Sequence, residues 1–249
     1  MSPDLFHILC LIWAGIALIT FFLLLFVKAP YGRHVKSGWG PQISNKVGWV
    51  LMELPSFVCI LYFTVSYSHS SYAYLLLFLW LLHYANRTFI FPLRIRTRGK
   101  KMPVVIVVSA IIFNLVNAGL NGYYLSFFEK YIPNDFSSWK FILGAFLFTT
   151  GAIVNLKSDQ ILIGLRKPGE VGYKIPRGFM FEYISCPNHL GEIIQWAGFA
   201  LMAWNCPAAT FFVWTAANLI PRALDHHKWY KTQFENYPTK RKAIFPGIL

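Results

Sequence analysis

Glu53 stands in the stretch KVGWVLMELPSFVCILYF, Lys46 to Phe63, where it is the only acid in an otherwise apolar run. A carboxyl group in hydrocarbon is expensive and marks a functional position by default. Further along, polar residues recur in steps of four: Asn155 and Asp159, Asn188 and Glu192, then Arg222, His226 and Tyr230. Residues four apart share a helix face, so each set points one way. Glu53 lies seven residues beyond Lys46 and Asp159 seven before Arg166, which puts each about 10 Å into its helix. Tyr84, ten residues before Arg94, is about 15 Å in by the same rise. One such acid alone is as readily a helix-packing bond as a site, whereas several groups at similar depth favour a site. The pattern predicts a pocket with a charged, hydrogen-bonding mouth and an apolar inner end lined by residues such as Trp49 and Trp196. Its ligands would be one polar and anionic, one lipophilic.

The elements that must position these groups are helices in a bilayer. The chain has 249 residues, 56% hydrophobic and only 13% charged, a balance that excludes an ordinary soluble domain. The run from Phe6 to Val27 has no Lys or Arg before it and is long enough to cross a core of about 30 Å, so it reads as a span rather than a cleaved leader. Further apolar runs near 47–67, 73–91, 103–125, 139–164, 189–206 and 207–224 predict an all-α integral membrane protein of about seven transmembrane helices. The connections leave no room for a separate soluble domain, so residues 1–249 read as a single transmembrane domain. Cys10, Cys59, Cys186 and Cys206 are scattered in or beside apolar runs without ligand spacing, which predicts core packing. The histidines include one adjacent pair, His226 and His227, and no HExxH, so no metal site is expected.

The net charge of +13 is informative through its distribution. Lys28, Arg33, Lys36 and Lys46 follow the first span; Arg94, Arg96, Arg98, Lys100 and Lys101 follow the third. Arg166, Lys167, Lys174 and Arg177 lie between the fifth and sixth, and Arg222, Lys228, Lys231, Lys240, Arg241 and Lys242 close the chain. The opposite connections hold only Lys130 and Lys140, and Arg87 and Lys157 fall inside spans. By the positive-inside rule the N-terminus is outside and the C-terminus cytoplasmic. Some of these cations contact lipid headgroups, and the surplus in loops such as LRKPGEVGYKIPRG points to a cytoplasmic anionic ligand rather than nucleic acid. GxGxxG, GxxxxGK[ST] and GxSxG are all absent, so a nucleotide site would be built from the spans themselves.

At these residues the sequence resembles the steroid 5α-reductase family, NADPH-dependent membrane enzymes that reduce the 4,5 double bond of 3-oxo-4-ene steroids. The likeness runs through APYGRH, ELPSF, HYANRTFIFPL, NGYYL, LRKPGEVGYKIPRGFMFEYIS, NHLGEIIQW and FENYPTKRKAIFP. ELPSF and HYANRTF carry the narrower assignment, since the C-terminal half also resembles sterol reductases and isoprenylcysteine methyltransferases. The chain is read as a bacterial homologue, in a bacterial inner membrane or an endoplasmic reticulum. The resemblance implies that Glu53 and Tyr84 act together on the steroid 3-oxo group. It further implies an NADPH site of Asn155, Asp159, Arg166, Tyr173, Lys174, Asn188, Glu192, Arg222, His226 and Tyr230, with about 103–249 supplying most of it. Tyr31, Arg33 and Arg98 match residues near the cofactor phosphates. Trp49, Met52 and Trp196 are expected at the substrate, and Met52 stands where the family commonly has Gln.

An enone that gains hydride develops charge on its carbonyl oxygen, so a donor is needed there: Tyr84, oriented by Glu53, or Glu53 itself if protonated. The competing readings are a very-long-chain enoyl or polyprenol reductase, an isoprenylcysteine-type methyltransferase using S-adenosylmethionine, and a non-catalytic sterol-binding protein. Steroid and lipid bilayer are the expected partners, with no obligate protein partner.

Overall fold

The computed structural model describes residues 1–27, 38–97, 99–128, 130, 135–166, 170 and 172–249. It is an all-α integral membrane protein organised as two compact units, Met1–Lys28 with Phe136–Met202 and Ala209–Leu249, and Ala29–Asp135 with Ala203–Ala208. Five of the described helices are long and apolar enough to cross a membrane: Pro3–Phe26, Asn45–Tyr67, Ser71–Arg94, Val104–Phe127 and Trp139–Gly164. Their outward faces carry large apolar residues such as Leu11, Phe26, Phe78 and Phe146, a surface that lipid rather than water would cover. The other two apolar runs also fold as helices. One is 17 residues, at the short limit for a span, and the other carries a polar stripe on through Gln233.

The second unit begins with a feature that the apolar pattern does not announce, a ribbon of two short antiparallel strands, β1 (Gln42–Ser44) and β2 (Lys101–Pro103). Each strand feeds directly into a helix, α2 (Asn45–Tyr67) and α5 (Val104–Phe127), and neither helix has a side-chain N-cap bond. The ribbon supplies acceptors instead: Asn45 N–H donates to the Lys100 carbonyl at 3.0 Å and Val104 N–H to the Pro41 carbonyl at 2.9 Å. Two otherwise orphaned first-turn donors are thereby satisfied, and the starts of α2 and α5 are fixed side by side.

Between them, α3 (Ser71–Ala85) is capped by the Ser70 hydroxyl, which accepts from Ala73 N–H at 3.3 Å. Its end passes into a π-helical turn, Asn86–Ile90, and then α4 (Phe91–Arg94). Pro92 explains the turn. It has no N–H for the Thr88 carbonyl and its ring crowds that group, so the helix widens and Phe91 N–H reaches back to the Asn86 carbonyl. The added residue per turn changes the direction in which side chains leave the helix after Tyr84.

In the first unit, α6 (Trp139–Gly164) and α7 (Pro187–Ala203) pack antiparallel through glycine. A Cβ at Gly144 would stand 2.8 Å from the Gly198 carbonyl oxygen, and one at Gly151 would fall on the backbone of Gly191 and Gln195. Such close backbone approach is the usual means of helix association where lipid offers no hydrophobic drive. At the helix α8 (Cys206–Gln233), α1 (Pro3–Phe26) is anchored by Trp13 against Trp214, ring centres 4.7 Å apart, and by the Thr210 hydroxyl on the Cys10 carbonyl. The C-terminal tail then lies along residues 183–186, with Lys242 N–H on the Tyr183 carbonyl and Ser185 N–H on the Lys242 carbonyl. Ile184, Cys186, Leu190, Ile193, Ala223 and Ile244 form the core beneath it.

Candidate active site

Within the second unit, a hydrogen bond and a wider ion pair show how α3 and its extension lie along α2. Trp80 Nε1–H donates to the Ser56 carbonyl at 3.2 Å, and Arg87 Nη2 stands 3.9 Å from Glu53 Oε1. Advancing one way on α3 corresponds to retreating on α2, so the helices are antiparallel and Tyr84, one turn beyond Trp80, is level with the turn of Met52 and Glu53. Tyr84 is buried, stacked on Trp80 with centroids 5.3 Å apart and edge-on to His83 at 5.2 Å. Glu53 and Tyr84 therefore lie at a similar level of one helix pair.

Glu53 itself is mostly enclosed, its side chain 13% exposed. From α5, the Asn114 carboxamide donates to the Met52 carbonyl and lies 3.5 Å from Glu53 Oε2. That carbonyl sits in the turn disturbed by Pro55, which has no N–H to offer the helix. Trp49, one turn before Glu53, packs its ring beneath the Arg87 guanidinium at 4.7 Å. The Met52 side chain turns away into an apolar cluster with Met102 and Val107.

The described residues expected at the cofactor belong to the first unit. Asn155 and Asp159 are buried on one face of α6. The Asn155 Nδ2–H donates to the Asn188 carbonyl at 3.0 Å, and the Asn188 Nδ2–H to Asp159 Oδ1 at 3.2 Å, which ties α6 to the first turn of α7. Glu192 is one turn further along α7. On α8, Arg222 and His226 are half-buried, His226 packs 5.6 Å from the His189 ring, and Tyr230 stacks on Tyr237 at 5.3 Å and 10°. Tyr173 is exposed and meets Trp229 edge-on at 4.8 Å, while Lys174 pairs with Glu170. Arg166 is half-buried just past the end of α6. Trp196, by contrast, is 1% exposed inside a cluster of Phe148, Phe199 and Phe211, where it packs the helices of this unit. Tyr31, Arg33 and Arg98 lie outside the described residues. No group of three potential metal ligands occurs among the described residues.

Residues 100–249 match the sequence profile described as 3-oxo-5-alpha-steroid 4-dehydrogenase. The chain belongs to that family. It is 42% identical over 253 residues to "Steroid 5-alpha-reductase DET2" of Solanum lycopersicum, covering 99% of this chain and 98% of that protein. It is 41% identical over 250 residues to the protein of the same name from Arabidopsis thaliana, covering 97% and 95%. With "3-oxo-5-alpha-steroid 4-dehydrogenase 1" of Bos taurus it shares 38% over 241 residues, covering 94% and 93%. The profile spans α5 to the tail, whereas Glu53 and Tyr84 precede it and fall within the longer alignments.

Two polar positions of this family member escaped the sequence reading. Asn218 lies one turn before Arg222 on the same stripe of α8, and its Oδ1 is buried without a partner among the described residues. The step of four was its available signal. Arg241 is 1% exposed, donates to the Pro176 carbonyl at 3.1 Å and covers the Tyr237 ring at 5.1 Å, so it clamps the tail to the loop before α7. Its place in the cationic run TKRK concealed that.

Proposed function

We propose that this chain reduces the 4,5 double bond of 3-oxo-4-ene steroids to the 5α products with NADPH as reductant, the whole chain acting as one catalytic domain. The observation that carries the reading is identity over almost the full length to proteins named steroid 5-alpha-reductases. It is supported by an acid and a phenol held at one level of a helix pair.

The donor set suits the cofactor. Arg166, Lys174 and Arg222 match its phosphates, joined in the resemblance by Tyr31, Arg33 and Arg98. Asn155, Asp159, Asn188 and Glu192 offer the mixed donors and acceptors that ribose hydroxyls and a carboxamide require, and Tyr173, His226 and Tyr230 add ring surface and further donors. The buried Asn218 Oδ1 and Ser158 Oγ, which have no hydrogen-bond partner among the described residues, fit a polar ligand at this level of α6 and α8. NADPH, when bound, supplies the hydride and the protein supplies orientation and electrostatics.

As C5 gains the hydride and its electron pair, the C4–C5 π pair moves to C3–C4 and the carbonyl π pair onto oxygen. Tyr84 and Glu53 hold that oxygen by hydrogen bonds whose strength grows with its charge. Protonation of C4, from water, returns the ketone. The steroid enters from lipid and the cofactor from the cytoplasmic side, where the cationic loops lie in the proposed orientation. Titration of the purified chain with NADPH and with S-adenosylmethionine tests the cofactor assignment: NADPH should bind and S-adenosylmethionine should not. The reverse preference would replace a reductase with a methyltransferase.

A further inference from the structure

We infer that Arg87 is a positioning residue for the reduction, acting through Glu53 as the fixed counter-charge for the negative charge that this acid takes on as its proton shifts towards the steroid oxygen, the charge on that oxygen falling by the same amount. The inference rests on the proposed steroid reduction. In the sequence Arg87 is a cation stranded inside a span, and neither topology nor the cofactor uses it.

The geometry is specific. The Arg87 guanidinium lies over the Trp49 ring at 4.7 Å and the Phe91 ring at 5.2 Å, and those two rings meet edge-on at 5.2 Å. Its side chain is 15% exposed, and it approaches Glu53 Oε1 at 3.9 Å. An arginine cannot lose its charge, and aromatic faces stabilise that charge without neutralising it. Between β1 and the end of α5, Glu53 is the only described acidic residue, so no other carboxylate in these elements competes for the guanidinium. The Asn114 carboxamide, which donates to the Met52 carbonyl, lies 3.5 Å from the other carboxyl oxygen.

At 3.9 Å the pair is wider than the roughly 2.7–2.9 Å of a closed, hydrogen-bonded ion pair. A cation at that separation stabilises charge on Glu53 when it appears, without engaging the hydrogen bond that Glu53 offers the steroid. Other charges around α2 are placed differently: α5 carries none, Arg94 and Lys101 are exposed, and Lys46 donates to the Leu93 carbonyl at 3.2 Å. His83, on α3, is buried against Tyr84. The π-helical turn is what brings residue 87 onto the α2 side, and Pro92 maintains that turn.

The test is steady-state turnover of a 3-oxo-4-ene steroid with NADPH by the full chain, comparing wild type, Arg87→Met and Arg87→Lys. Loss of a group that acts only as charge develops lowers kcat and leaves KM unchanged. Arg87→Met should therefore lower kcat about 100-fold with KM within about twofold, and Arg87→Lys should recover to within about tenfold of wild type. NADPH affinity, measured in parallel, should be the same in all three, which excludes misfolding. Wild-type kcat in Arg87→Met, a change confined to KM, or failure of lysine to rescue a folded protein would overturn the inference. A wild-type chain that reduces no enone would instead sink the reductase reading, and this inference with it.

Discussion

Glu53 is costly in a bilayer, and its neighbours show how the second unit tolerates it: a guanidinium on one oxygen and a carboxamide near the other. Replacement by Gln keeps the shape and removes the acid. Glu53→Gln is expected to lower steroid turnover by about 100-fold or more while NADPH still binds, as product formation and cofactor titration together would show. Arg222→Ala should do the opposite, weakening NADPH binding about tenfold or more, and unchanged affinity would remove Arg222 from the cofactor site. A third residue reports on stability. The Ser185 hydroxyl lies 2.6 Å from both His227 Nδ1 and the Tyr237 hydroxyl, and the His227 imidazole is lowered to about 4 by burial, then by Lys231, Arg241 and Lys242. The unfolded chain takes up that proton near pH 6.5, well before the folded one, so the contribution of neutral His227 is present above pH 6.5 and is lost as pH falls towards 4. Melting temperature should fall more steeply over that interval in wild type than in His227→Gln.

Apolar periodicity in the sequence was enough to locate the helices, because in lipid every backbone group must be bonded within its own segment. The α8 boundary was less legible. The apolar run stops near 224, but the helix continues to Gln233 because no proline or glycine interrupts it there, and this extension carries His226 and Tyr230. The β1–β2 ribbon was invisible because its strands are three residues each and their partners lie far apart in sequence. The π turn was equally hidden, although Pro92 is its physical cause and the direction of Arg87 relative to Tyr84 depends on it. Glycine positions gave no sign of the α6–α7 seam until their facing backbones were known. Gly151→Ala should destabilise the first unit by about 2 kcal/mol or more, since no flexible side chain can yield there. Gly164→Ala, where nothing lies within 4 Å of the added Cβ, should be near neutral, and thermal melts of both check the contrast.

For the molecule as a whole, composition alone excluded a soluble domain, and the steps of four found most of the polar stripe on α8. What composition could not supply was the assignment of a task to each polar set, which came from ELPSF, HYANRTF and the long C-terminal motifs. Trp196 shows why: an apolar aromatic in a span reads alike in sequence whether it lines a pocket or packs among other rings, as Trp196 does with Phe148, Phe199 and Phe211. Likewise Met52 can be read at the acid from its number, yet its side chain joins Met102 and Val107 and its backbone carbonyl does the local work. The orientation with cationic loops in the cytoplasm predicts that a cysteine introduced at Lys240 is labelled by an impermeant thiol reagent only after the membrane is opened. The most direct measurement is product analysis by mass spectrometry after the purified chain is incubated with NADPH and a panel of steroid enones. The account predicts 3-oxo-4-ene steroids converted to 5α-reduced ketones with matching loss of NADPH; recovery of every enone unchanged, with NADPH bound but not consumed, would contradict it.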